Sequence, residues 1–114
     1  MRQSALFVAG RATGVRVDVA ESARERLRGL LGRDALAADD ALLLERCRSV
    51  HTFGMRFSID VLFVSRSNRV VAVHREVRAG RILMHWRGAK TLEMAAGAAA
   101  RHGIGVGAQL AWGP

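Results

Sequence analysis

The stretch Cys47–Phe63, CRSVHTFGMRFSIDVLF, constrains the fold more than any other part of the chain. It sets a histidine, an arginine and an aspartate among apolar residues, where ionisable groups are costly unless they are paired or used. It also ends in a short apolar run of strand length, Ile59–Ser65, and the segments around it repeat that length. Cys47–Phe53 and Ile59–Ser65 read as two strands joined through Gly54–Ser58. Arg66–Asn68 reads as a turn and Val70–His74 as the returning strand. A chain of such short apolar segments builds sheets rather than bundles.

The rest of the chain fits that reading. Ser4–Ala9 is a short apolar strand, Gly10–Gly14 a turn, and Val15, Val17 and Val19 alternate with Arg16 and Asp18 at the period of a half-buried strand. Ser22 followed by Glu25 fits a capping box. It predicts a helix from about 22 to 31 with Leu27, Leu30 and Leu31 on one face and Gly32 as its stop. Ala41–Leu44 is apolar and extended or a short buried turn. Arg75–Trp86 reads as a polar loop, Ala89–Met94 as a strand, Ala95–His102 as a short helix and Gln109–Trp112 as a last strand. The expectation is one domain over residues 1–114, α+β and mainly β. Its core is a small antiparallel or mixed barrel or bent sheet of five to seven short strands with one main helix.

Composition narrows the function classes. Half of the 114 residues are hydrophobic and a quarter charged, as in a folded globular protein. No apolar run approaches the ~20 residues that span a bilayer. The run Ala5–Ala9 is too short for a signal-peptide core, so a cytoplasmic location without a membrane partner is expected. Cys47 is the one cysteine and offers no internal disulfide. The net charge is +8, and every basic residue but Lys90 is arginine. Such richness accompanies GC-rich coding, and the arginines run from Arg2 to Arg101 rather than forming one block. A solvated basic surface is the plain reading and an anionic partner the sharper one. Along the sequence the few aromatics do not interleave with arginines as a nucleic-acid stacking platform requires. A nucleic-acid partner is therefore kept as an alternative, behind a small anionic ligand or a protein partner. Oligomeric state is left open.

Four segments together resemble the family known as domain of unknown function 192 (DUF192). They are Arg26–Arg33 (RLRGLLGR), the apolar step Leu42–Leu44, His51–Arg56 running into Ile59–Phe63, and Leu92–Gly97 followed by Gly103–Gly107. The resemblance covers roughly Val15 to Trp112 and brings no established activity with it. Three positions depart from the family pattern: Ser58 and the Glu76–Gly80 loop lack a frequent proline, and Ala108 replaces a frequent aspartate.

The chemistry-bearing residues allow two readings each. Cys47 and His51 are four apart, which on a strand separates them by ~13 Å, too far to share a metal or to act as nucleophile and base. The remaining histidines show no ligand spacing, so neither metal nor cofactor is expected. His51 and Asp60 flank one proposed turn, where they can act as a general acid–base pair or simply hold the turn. Arg33 and Arg56 can hold a carboxylate or phosphate, or can pair internally with Asp60 and Glu93. The candidate cleft is therefore Arg33, His51, Arg56, Asp60 and Glu93, with no catalytic residue assigned. The function this fits is a non-enzymatic binding or accessory module for a small anionic ligand or a partner's carboxylate. A small hydrolase or isomerase using His51 and Asp60 is the first alternative.

Overall fold

Short strands alternating with glycine-rich turns close a curled sheet in the computed structural model, which describes residues 1–113. In chain order the elements are β1 (Arg2–Val8), β2 (Arg11–Ala20), α1 (Ala23–Arg28), β3 (Asp40–Leu44), β4 (Ser49–His51) and β5 (Ile59–Val64). Then follow β6 (Val70–Val77), β7 (Ile82–Met84), β8 (Lys90–Ala95), α2 (Ala98–Arg101) and β9 (Leu110–Gly113). Seven strands form one sheet in the order β6-β5-β8-β3-β2-β1-β9, and β4 and β7 form a separate ribbon. The fold is α+β and mainly β, a curled half-barrel.

The β1–β2 hairpin turns on Ala9 and Gly10, both at positive φ, as a two-residue turn that follows strand twist demands. The turn is thus tighter than the Gly10–Gly14 segment expected, and Arg11–Gly14 already belongs to β2. β2 buries Val15, Val17 and Val19 and crosses through α1 to the parallel β3, where Arg16 meets Asp40 at 3.0 Å. At the far edges of the sheet the curl brings β6 to the start of β9. The Val70 amide donates to Ala108 at 2.9 Å, and the Leu110 amide to Asn68 at 2.8 Å.

Because the sheet curls, both of its faces are covered. The enclosed face carries Leu6, Val8, Val17, Leu43, Leu62, Leu92, Met94, Ile104 and Leu110. The opposite face carries Leu42, Leu44, Ile59, Val61 and Phe63, over which pack Leu30 and the inward side chains of the ribbon, Val50 and Leu83. This explains why all six residues of β5 are buried and show no alternation. Thr52 pins the ribbon, its hydroxyl donating to the Arg78 carbonyl at 2.7 Å and accepting from the Arg81 amide at 2.8 Å.

Three local expectations are corrected. The capping box is present, with Ser22 and Glu25 bonded reciprocally, but the helix ends at Arg28 rather than near residue 31. The chain reverses at Gly29, φ 48°, so Leu30 leaves the helix for the core while Leu27 stays 81% exposed. The expected strand Cys47–Phe53 shrinks to Ser49–His51, which pair with β7, while Cys47, Arg48 and Thr52 beyond it are joined by single backbone bonds to Ala89, His85 and Arg81 respectively. The expected polar loop Arg75–Trp86 in fact holds the end of β6 and all of β7.

Candidate functional site

A pocket of about 500 Å³ opens between α1, the segment Arg46–His51 and the outer face of β8. Its floor follows from strand parity. In β8, Leu92 and Met94 face the enclosed core, so Glu93 must point the other way, between Leu42 of β3 and Val61 of β5. Gly29 lies over it, where a Cβ would stand 4.0 Å from Glu93 Oε1, and Glu93 itself lines the pocket.

Glu93 is only 6% exposed and forms no ion pair within 4.0 Å among the described residues. Burial pushes its pKa up from 4.5 to about 7, against an opposing pull from the Arg33 guanidinium. The group therefore exchanges its proton near neutral pH. Burial outweighs Arg33 because the arginine is near enough to be felt yet makes no contact bond.

The walls divide into apolar and cationic parts. Leu27, Leu30, Leu31, Leu44, Val50 and Met55 line one part. Arg26, Arg28, Arg46 and Arg48 stand around the other, and none of the four has a carboxylate partner among the described residues. Arg26 and Arg46 both donate to the Glu21 carbonyl, the latter at 3.0 Å, which fixes their positions without neutralising them. Cys47 lines the same wall, its thiol 3.2 Å from the Ser49 carbonyl.

The structure divides the five residues singled out in the sequence. Glu93 and His51 line the pocket, and His51 is exposed at its edge with its ring 5.6 Å from that of Phe53. Arg33 acts on Glu93 through its field but borders a neighbouring groove with Arg28 and Gly32. Arg56 turns outward to Asp34, and both are exposed. Asp60 points to the opposite face of the sheet, because it pairs in register with Met94 and not with Glu93. Its carboxylate is fully buried and accepts from the backbone amides of Glu76 (2.9 Å), Gly97 (3.2 Å) and Ala99 (3.0 Å). The expected His51–Asp60 pair therefore does not form, and neither Arg33 nor Arg56 bonds to Asp60 or Glu93. The four wall arginines escaped the sequence reading. Their one signal is the spacing of Arg26 with Arg28 and of Arg46 with Arg48, two arginine pairs that become neighbours only through tertiary structure.

Comparison with solved structures places the fold. A protein of Sinorhizobium meliloti 1021, described as a candidate transcription regulator, superposes with a TM-score of 0.86 at 22% identity, over 97% of this chain and 94% of its own. A protein of unknown function from Novosphingobium aromaticivorans DSM 12444 does so with a TM-score of 0.81 at 23% identity, over 95% and 84%. At these identities the likeness is one of fold. No curated protein matches the chain. The family model for DUF192, an uncharacterized ACR, matches residues 5–112. That span takes in every strand that builds the pocket as well as Gly29 above its floor, and the chain belongs to the DUF192 family.

Proposed function

We propose that this protein is a binding module whose pocket takes a small ligand with an anionic head and an apolar body. The observation that supports the reading is the wall of four arginines without carboxylate partners facing a leucine-lined surface. Guanidinium groups hold carboxylate or phosphate through forked, charge-assisted hydrogen bonds. The leucines remove an alkyl or aryl body from water. Glu93 at the floor donates a hydrogen bond to the ligand when protonated and repels an anion when ionised. A His51–Asp60 acid–base pair finds no support, since Asp60 accepts from three backbone amides on the opposite face of the sheet.

Calorimetric titration with hexanoate and hexyl phosphate tests this, with hexanol and inorganic phosphate as half-ligands. The amphiphilic anions bind measurably and each half-ligand binds more weakly. Converting both Arg28 and Arg48 to alanine weakens binding at least about tenfold, the least that losing one charge-assisted hydrogen bond costs. Equal binding of hexanol and hexanoate, or no effect of the double replacement, overturns the reading.

A further inference from the structure

We propose that the outward face of the β4–β7 ribbon is a docking surface for anionic lipid bilayers. The face is built by register. Ser49 pairs with Met84 and His51 with Ile82, so these four side chains point outward while Val50 and Leu83 point into the core. Phe53, its ring 5.6 Å from that of His51, and Trp86, in the turn just past Met84, are exposed at the two ends of the ribbon. Phe53 is 51% exposed, Ile82 69%, Met84 72% and Trp86 80%. Of the seven large apolar side chains exposed among the described residues, four are gathered here, which sets the face apart from scattered surface hydrophobics.

Charge gives the second, independent observation. The two segments that form and flank the ribbon, 46–59 and 77–92, contain seven of the eighteen basic residues and none of the ten acidic ones. The remainder of the chain holds eleven basic residues against ten acidic. Arg46, Arg56 and Lys90 turn to the Glu21 carbonyl, Asp34 and Asn68, which leaves Arg48, Arg78, Arg81 and Arg87 as the cations of the ribbon and its flanks without an acidic partner among the described residues. Of the seven, only Arg56 meets an acid among the described residues.

The mixture of side chains selects the occupant. Ile82 and Met84 lie between the aromatic groups of this face, His51 with Phe53 on one side and Trp86 on the other, so successive nucleic-acid bases find no continuous stacking row along it. The headgroup–acyl boundary of a bilayer accepts aliphatic, thioether and indole groups alike, and arginine stems lie along it with their heads at lipid phosphates. Arg87 already stands over the Trp86 ring at 5.5 Å, pairing an interfacial indole with a phosphate-seeking cation. The expectation of no membrane partner rested on the missing spanning segment, and no helix here is long and apolar enough to cross a membrane. Surface docking needs neither. Ser49 and His51 also border the pocket, so the face adjoins it, but Ile82, Met84, Arg81 and Arg87, on which the test rests, do not line it.

The test reads Trp86 directly. Trp112→Phe leaves Trp86 as the sole tryptophan, and this variant is titrated with vesicles of phosphatidylcholine with and without phosphatidylglycerol. Emission moves to shorter wavelength with the anionic vesicles, and affinity falls at least about tenfold without phosphatidylglycerol or at high salt. Adding Ile82→Ser and Met84→Ser abolishes the shift, while Arg81→Gln with Arg87→Gln weakens binding and flattens its salt dependence. These side chains face solvent, and unchanged unfolding midpoints certify the variants. No binding to anionic vesicles at low salt overturns the proposal, and so does binding indifferent to Ile82 and Met84. Quenching of Trp86 by a single-stranded oligonucleotide or by polyglutamate, without a vesicle response, overturns it in favour of a nucleic-acid or acidic protein partner.

Discussion

Glu93→Gln keeps the shape of the pocket floor and removes the one group there that exchanges a proton near neutrality. In the unfolded chain the carboxyl titrates near 4.5, whereas in the folded protein burial holds it at about 7. Between those values the folded state keeps a proton that the unfolded state has released. The stabilisation is thus full below pH 4.5 and drains away as pH rises to 7, with no further loss above. At about 1.4 kcal/mol per unit, the whole change is about 3 kcal/mol. Glutamine does not titrate, so the variant gains on the wild type by about 3 kcal/mol between pH 4.5 and 8, roughly 10 °C in Tm for a chain of this length. Urea denaturation of both proteins across that range isolates the effect, because histidines and other groups cancel in the difference. The same variant binds hexanoate with an affinity that no longer declines above pH 7. A difference in stability that stays flat with pH refutes the reasoning. A wild type that gains on the variant as pH rises also refutes it, since Arg33 would then outweigh burial.

Asp60 gives the opposite result. Asp60→Asn turns an amide group toward at least one of the three backbone donors and costs about 3 kcal/mol. Urea denaturation and faster exchange of the Ala99 amide report it, and a loss below about 1 kcal/mol contradicts the assigned role. Leu27→Ala stays within about 0.5 kcal/mol of wild type because Leu27 is solvent-exposed, whereas Leu30→Ala costs about 2–5 kcal/mol. Similar losses at the two leucines mean that the chain does not turn at Gly29.

The elements that depend on local chemistry were legible. Val15, Val17 and Val19 announced β2 by their period, and Ser22 with Glu25 announced the start of α1. The end of α1 was not, because Gly29 and Gly32 are equally good stops in sequence. What decides between them is the burial of Leu30 against Leu42 and its neighbours. β7 was missed for a similar reason. Ile82-Leu83-Met84 is a three-residue apolar run without alternation, and it becomes a strand only by pairing with β4, about thirty residues earlier. The two acid-free segments were present in the sequence, but their meeting in the β4–β7 ribbon is a property of the fold.

The two buried acids show where sequence reasoning stops at a site. Asp60 and Glu93 both stand in apolar strands, and placing them in one cleft is natural as long as the strands are considered singly. Pairing changes this. β5 and β8 lie side by side with Asp60 opposite Met94, so parity alone sends the two carboxyls to opposite faces. Their surroundings then differ in one respect. The enclosed face offers Asp60 three amide donors, from the end of β6 and the start of α2, enough to hold a buried carboxylate as a structural clasp. The outer face gives Glu93 no hydrogen-bond donor among the described residues, only the field of Arg33. A buried acid with its oxygens spent stabilises the fold. One with no bonded partner among the described residues, beside arginines that there lack carboxylate partners, is the group on which the proposed binding site rests.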